Sequence, residues 1–201
     1  MNPQFLFDFG SPNTYFSHRV IPEIEKRTGA EFDYVPVLLG GIFKLTNNKS
    51  PVEAFCDVKN KLEFQALESK RFCARHHITA FKHNPFFPVN TLLLMRCAVA
   101  TQINGGLETY VEAVYHYMWE EPRKMDDPAV VHQSLKDAGL DADRILARAQ
   151  DADVKGTLMQ NTQTAVDRGA FGAPTFFVGN EIFFGKDQLR DVEEAIVAAK
   201  N

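Results

Sequence analysis

Three short stretches of the sequence carry groups suited to chemistry. The first is Gly10-Ser11-Pro12, a serine followed by a proline of the kind that opens a helix. A hydroxyl there has two uses. It can cap the helix, or it can donate a hydrogen bond to an anion held at the helix start, where unpaired N–H groups carry partial positive charge. The second stretch is Gly172-Ala173-Pro174-Thr175. A cis bond before a strand-opening proline turns the preceding N–H and C=O outward, so the backbone can pair with an extended peptide. An ordinary strand-initiating proline is the plain alternative. The third is Phe184-Gly185-Lys186-Asp187, where Asp187 can pair with a free α-amino group and adjacent N–H groups with a carboxylate. Its plain alternative is an acid at a helix start.

The hydrophobic pattern shows what must hold these stretches. Gln4-Phe5-Leu6-Phe7-Asp8-Phe9 reads as a strand buried on both faces, running into a helix over 12–27 that Thr28-Gly29 stops. Val20, Ile21 and Ile24 give that helix its inward face, and Pro22 predicts a kink or break. Period-two alternation over 31–37 gives a second strand, so strand, helix and strand form a unit with parallel strands. From residue 39 to 153 apolar residues recur at three and four, with helices predicted over 58–76, 90–103, 108–119 and 128–136 and a short one from Asp141. The tail returns to mixed structure. A helix over 154–168 precedes Thr175-Phe176-Phe177-Val178, Gly179-Asn180 and Glu181-Ile182-Phe183-Phe184, two strand-like runs around a two-residue turn. A last helix over 186–200 buries Leu189, Val192 and Ile196. The order is that of an α/β thioredoxin-like fold: a first half over 1–38, an all-helical insertion over 39–153 and a second half over 154–201.

Composition narrows the function classes. A chain of 201 residues buries roughly 70% of its unfolded surface, so it folds without disulfides or structural metal. Lys and Arg number 22 against 26 for Asp and Glu, with no dense basic cluster, which argues against nucleic acid or an anionic membrane as partner. Cys56, Cys73 and Cys97 are an odd set without C-x-x-C, which argues against a disulfide scaffold, a zinc ribbon and a dithiol redox motif. They read as buried small groups or ordinary thiols. His76-His77 and His83 read as solvated ends of a helix and a loop, so no metal is expected. No run approaches the ~18 apolar residues of a membrane span, and no leader-like segment opens the chain. A soluble, reduced, cytoplasmic protein is expected. The 17 Phe beside a single Trp predict an aromatic core, with Phe86, Phe87, Phe176, Phe177, Phe183 and Phe184 mostly inside it.

In a thioredoxin-like fold the reactive group stands where the first strand turns into the first helix, and the late proline loop faces it. Serine cannot exchange disulfides, so Ser11 excludes dithiol chemistry there. Its hydroxyl can instead stabilise a thiolate. A free thiol with a pKa of about 8.5 is only ~3% ionised at pH 7, and lowering it two units takes ~2.7 kcal/mol. A charge-assisted hydrogen bond of ~1.5–3 kcal/mol plus a helix-terminus contribution of ~0.3–1 kcal/mol is the right size. A tripeptide with a central thiol would put its sulfur at Ser11, its backbone along Ala173-Pro174 and its amino-acid head at Asp187. Glutathione fits that description.

Five strings then occur in order across the chain: Phe7-Asp8-Phe9-Gly10-Ser11-Pro12 with Tyr15; Asn47-Asn48-Lys49-Ser50-Pro51; Phe86-Phe87-Pro88-Val89-Asn90-Thr91-Leu92 with Arg96; Phe171-Gly172-Ala173-Pro174-Thr175-Phe176; and Phe184-Gly185-Lys186-Asp187. Together they resemble the 2-hydroxychromene-2-carboxylate isomerases and kappa-class glutathione transferases, which share a DsbA-like thioredoxin fold. The resemblance implies that Ser11 activates the glutathione thiol and that Asn48 and Lys61 reach the tripeptide from the insertion. It also implies that Ala173, beside Pro174, pairs with the tripeptide backbone, that Lys186 and Asp187 bind its γ-glutamyl end, and that the chain forms a homodimer. Lys61 precedes the aromatic Phe64 by three, as the family's Lys precedes a Tyr; Lys59 is the alternative. Two departures stand out. The family's small residue before Asn48 is Asn47, which alters the loop. Its Trp and Arg around the final motif are Phe184 and Gln188, which removes aromatic area and a charge beside the pocket.

The expectation is a glutathione-dependent isomerase of an aromatic-derived 2-oxo or 2-hydroxy carboxylate. As the family implies, reversible thiolate addition turns a double bond into a single one, rotation follows, and elimination returns the thiol. Lys44, Lys49 or Lys186 would seat the substrate carboxylate. The alternatives are a kappa-type transferase or peroxidase and a non-catalytic glutathione- or peptide-binding module.

Overall fold

A computed structural model describes residues 2–200. The chain opens with β1 (Gln4–Phe7), α1 (Pro12–Thr28) and β2 (Asp33–Pro36). The helical stretch is α2 (Leu39–Thr46), α3 (Pro51–Phe55), α4 (Lys61–Arg75), α5 (Leu92–Asn104), α6 (Leu107–Trp119), α7 (Pro128–Asp137) and α8 (Ala142–Arg148). It closes with α9 (Ala152–Asp167), β3 (Thr175–Val178), β4 (Glu181–Phe184), a 3₁₀ turn (Lys186–Gln188) and α10 (Leu189–Ala198). The four strands form one sheet in the order β2-β1-β3-β4. β1 and β2 are parallel, as expected of strands joined by a helix, with Phe5 opposite Tyr34. β3 runs antiparallel to β1, with Phe5 opposite Phe176, and the β3–β4 hairpin closes on Val178 opposite Glu181. This is the thioredoxin-like order, with helices between its two halves, that the pattern predicts.

Alternation along β1 divides the core between the two sheet faces. Phe5 and Phe7 enter a large cluster with Phe176, Tyr15, Phe16, Tyr110, Tyr115 and Trp119. Leu6 joins Val37, Ile42, Ala165, Ala170 and Phe177 on the other face. A fully buried Phe contributes about 1.5–3 kcal/mol relative to exposure, so Phe5 and Phe7 anchor β1 and hold the residues after it in place.

Several expectations need correction. β1 ends at Phe7, because Asp8 accepts the N–H of Ser11 on its carbonyl (3.1 Å) and that of Gly10 on its carboxylate (2.9 Å). Those bonds make a turn in which Asp8 and Phe9 cannot join the ladder. α1 continues through Pro22 to Thr28, with Val20, Ile21 and Ile24 buried on the core side. The helix expected over 58–76 starts at Lys61, since Asn60 holds a left-handed φ of 68°. Ahead of it, α3 starts at Pro51 and is capped by Ser50, which accepts the N–H of Glu53. The helix expected over 186–200 is a 3₁₀ turn followed by α10, with Leu189, Val192 and Ile196 buried as predicted. Phe86 and Phe184 are exposed rather than core, and Phe87 and Phe183 are half-buried. No helix of the described residues is long and apolar enough to cross a membrane.

Candidate active site

Ser11 sits at the start of α1 in extended backbone (φ −98°, ψ 119°) and makes no side-chain cap. Its carbonyl, not its hydroxyl, serves the helix, taking the N–H of Thr14 (3.1 Å) and of Tyr15 (3.4 Å). The hydroxyl of Thr14 secures the turn on the carbonyls of Asp8 and Ser11, each at 2.7 Å. Trp119 reaches in from α6 to donate its indole N–H to the carbonyl of Phe9 (3.0 Å). The first turn of α1 contains no acidic residue, so its positive end is not neutralised from within the helix. The plain N-cap alternative for Ser11 is therefore not what the side chain does.

The Ser11 hydroxyl instead donates to the carbonyl of Ala173, at 3.2 Å. The Ala173–Pro174 bond is cis. Thr175 ties the loop by donating to the carbonyl of Gly172 (2.8 Å), and Gly185 donates its N–H to the carbonyl of Pro174 (2.9 Å). The N–H of Ala173 takes no partner among the described residues. The late proline loop thus presents one occupied acceptor and one open donor directly beside the Ser11 hydroxyl.

The other residues singled out by sequence lie around this centre at different removes. Asn48 follows Asn47, which ends α2 in left-handed backbone (φ 54°), and donates its amide to the carbonyl of Phe171 (2.8 Å). It thereby joins the α2–α3 loop to the loop of Ala173. Lys186 follows Gly185 and is buried; its Nζ lies 2.7 Å from both carboxylate oxygens of Asp187 and 5.0 Å from the ring centre of Phe72. The carboxylate and the aromatic face offset the cost of burying that ammonium. Asp187 itself is exposed. Lys61 opens α4. Its Nζ lies 5.2 Å from the ring centre of Phe55, on the α3–α4 turn, and Lys59, Lys44 and Lys49 are exposed.

The structure adds three features to the sequence reading, which already set Phe184 beside the pocket. Phe171 and Phe184 pair at 4.4 Å between ring centres, and each is more than two-fifths exposed. Together they form an apolar shelf beside the proline loop. The ring of Phe184 lies so close over Gly172 that a Cβ there would come within 2.8 Å of it. Cys73 stands near Lys186; burial pushes its thiol up and the ammonium pulls it partly back. Finally, Asp8 is buried, and burial raises its pKa against the opposing pull of hydrogen bonds from Leu39, Gly10 and Thr91. Only tertiary contacts reveal these roles, because nothing in the spacing of Phe171, Cys73 or Asp8 marks them.

The family model described as a DSBA-like thioredoxin domain matches residues 4–197. A 2-hydroxychromene-2-carboxylate isomerase of Sphingobium xenophagum is 27% identical over 198 residues, covering 96% of this chain and 96% of the relative. A kappa glutathione S-transferase of Caenorhabditis elegans is 23% identical over 205 residues, covering 95% of this chain and 89% of the relative. Among solved structures, that of a 2-hydroxychromene-2-carboxylate isomerase superposes with a TM-score of 0.82 at 21% identity, covering 99% of this chain and 96% of the other.

Proposed function

The chain belongs to the DSBA-like thioredoxin domain family, and we propose that it is a glutathione-dependent isomerase of an aromatic-derived 2-oxo or 2-hydroxy carboxylate. The observation that carries the reading is the 3.2 Å hydrogen bond from Ser11 to Ala173. It puts a hydroxyl, at the start of a helix whose first turn carries no acidic side chain, against the loop that can pair with a peptide. Relatives named as isomerases of this type and as kappa glutathione transferases support the class of cofactor.

The residues present fit glutathione. The open N–H of Ala173 and its carbonyl can pair with a peptide unit, and Asp187 offers an exposed carboxylate to an α-amino group. Asn48 borders the same loop through Phe171. When bound, glutathione supplies a nucleophilic sulfur that adds reversibly to a conjugated carbon. The chain's contribution begins with the carbonyl of Ala173. Once it accepts a peptide N–H, the Ser11 hydroxyl is released from a neutral bond worth about 0.5–1.5 kcal/mol and can make a charge-assisted one worth about 1.5–3 kcal/mol. The difference, with the end of α1 adding its share, favours the ionised sulfur. Lys186 is already engaged by Asp187 and buried, so it is the least available of the three lysines for the substrate carboxylate, whereas Lys44 and Lys49 are exposed.

Ser11→Ala tests the assignment through the ultraviolet absorbance of the glutathione thiolate as pH is varied. The variant is expected to bind glutathione but to ionise it about one to two pH units later and to lose at least tenfold in kcat. An unchanged profile with unchanged turnover overturns the role of Ser11. One observation favours a second reading, a kappa-type conjugating transferase or peroxidase: the exposed Phe171–Phe184 shelf carries no cation of its own and suits an uncharged apolar acceptor. Product analysis separates them, since an isomerase returns glutathione and a transferase consumes it stoichiometrically. We extend the proposal to a homodimer in a reducing, cytoplasmic compartment, in keeping with three free cysteines of which Cys56 is exposed.

A further inference from the structure

We propose that Asp8 is a positioning residue that holds Ser11 and, through α2, Asn48 in the places the thiol site requires; this role rests on the function proposed above. Asp8 lies three residues before Ser11 and is 1% exposed. One carboxylate oxygen accepts the N–H of Gly10 (2.9 Å) and the other the N–H of Leu39 (2.8 Å), with the Thr91 side chain packed beside the same turn. The backbone carbonyl of the same residue accepts the N–H of Ser11 and the hydroxyl of Thr14. Both faces of the turn that carries Ser11 therefore end on Asp8.

The Leu39 bond extends this hold across the site. Leu39 is the first residue of α2, and its N-cap, Leu38, has no side-chain oxygen. The N–H of Leu39 is one of the unpaired donors of a helix start, and Asp8 satisfies it from 31 residues away with a charge of the favoured sign. α2 delivers Asn48 at its other end, where the amide meets the carbonyl of Phe171. One carboxylate thus braces the hydroxyl on one side of the proline loop and the amide on the other. The fit around it is tight, since a Cβ on Gly10 would stand 3.2 Å from Thr91 and 3.3 Å from Asp8. A buried carboxylate is costly unless its oxygens are fully used, and here both are.

Asp8→Asn keeps the volume but turns an N–H₂ group toward one of the two N–H donors. The experiment follows thiolate absorbance of glutathione against pH in wild type, Asp8→Asn, Ser11→Ala and the double variant, with S-methylglutathione as the thiol-less probe. In Asp8→Asn the ionisation midpoint of the bound thiol is expected to rise by roughly one unit, a tenfold loss of thiolate below the midpoint. S-methylglutathione is expected to bind a few-fold more weakly as Asn48 moves with α2. In the double variant the midpoint is expected to match that of Ser11→Ala alone, because Asp8 acts through Ser11. A lowered melting temperature with an unmoved midpoint overturns the proposal, and so does a shift that adds to that of Ser11→Ala. Thr91→Val removes the hydroxyl that lies near the Asp8 carboxylate while keeping the charge and near-equal volume. It is expected to move the midpoint in the same direction by less, and an unmoved midpoint in this variant overturns the proposal if Asp8→Asn does not fold. Failure of Ser11→Ala to move the midpoint removes the function itself; normal behaviour of Ser11→Ala with an inert Asp8→Asn removes only the role of Asp8.

Discussion

A serine hydroxyl that bonds a carbonyl across the site, in preference to its own helix, has been recruited by tertiary structure. Local chemistry alone favours the cap, and the sequence around Ser11 serves either use. What separates them is the approach of the Ala173 loop, a contact between residues 162 positions apart. The same logic governs Gly172. Its lack of a side chain looks like ordinary loop composition until the ring of Phe184 is seen lying on it. Gly172→Ala drives a methyl to within 2.8 Å of that ring. Because Phe184 is exposed, the ring can swing aside, so the expected stability change is below ~1 kcal/mol. The shelf formed with Phe171 is nonetheless disturbed. The KM for the acceptor is expected to rise several-fold while glutathione affinity stays within about twofold. Steady-state kinetics with each substrate varied would check this, and Phe184→Ala should abolish the sensitivity to Gly172→Ala, since nothing then remains to clash.

At the scale of elements, α2 shows how packing decides what propensity leaves open. Gly40 and Gly41 each disfavour a helix by roughly 1 kcal/mol relative to alanine, yet both lie in α2. Gly41 is there because α9 approaches closely: a Cβ would stand 3.1 Å from the methyl of Thr162. Thr162 cannot easily yield, as its hydroxyl accepts the N–H of Leu38 (3.0 Å) and donates to Leu158 (2.8 Å). Gly40 faces no atom within 4 Å. Gly40→Ala is therefore expected to stabilise by up to ~1 kcal/mol, and Gly41→Ala to destabilise by about 1–2 kcal/mol once the crowding outweighs the propensity gain. Denaturant midpoints of the two variants should move in opposite directions. These glycines also explain why this helix was invisible in the sequence, where a Gly-Gly pair reads as a break. The β3–β4 hairpin was legible because its signal is local: two runs of β-rich residues around Gly179-Asn180. The break between α3 and α4 was not, because Asn60 takes a left-handed φ that asparagine only sometimes adopts. The site divides the same way. The facing of the first helix and the proline loop follows from strand order, whereas the buried clamp of Asp8 on Leu39 depends on contacts that no spacing encodes.

For the molecule as a whole, the excess of phenylalanine predicted an aromatic core, and the main cluster also draws in tyrosines whose hydroxyls must be accommodated. Tyr110 donates to the carbonyl of Leu94 (2.9 Å), Tyr15 to Glu120 (2.8 Å), and Tyr34 meets His18 (2.8 Å). Burial raises the pKa of these three and of Tyr115 above the ordinary 10.0, with nearby carboxylates adding to the rise for Tyr15, Tyr34 and Tyr115. The sign of the consequence follows from linkage. Each group has a folded pKa above its unfolded one, so its contribution to stability is complete below about pH 10 and is lost as pH climbs toward the folded value. All four share this sign, so ionising any of them weakens the folded state. Alkaline titration is therefore expected to show these tyrosines silent through pH 10, then ionising in one cooperative step that coincides with loss of near-ultraviolet circular dichroism. Tyrosinate absorbance near 295 nm, followed alongside the dichroism, checks this. Independent ionisation of these tyrosines near pH 10 with the dichroism intact would mean that the aromatic cluster admits water, and a core open to water could not hold the turn of Ser11 against the proline loop.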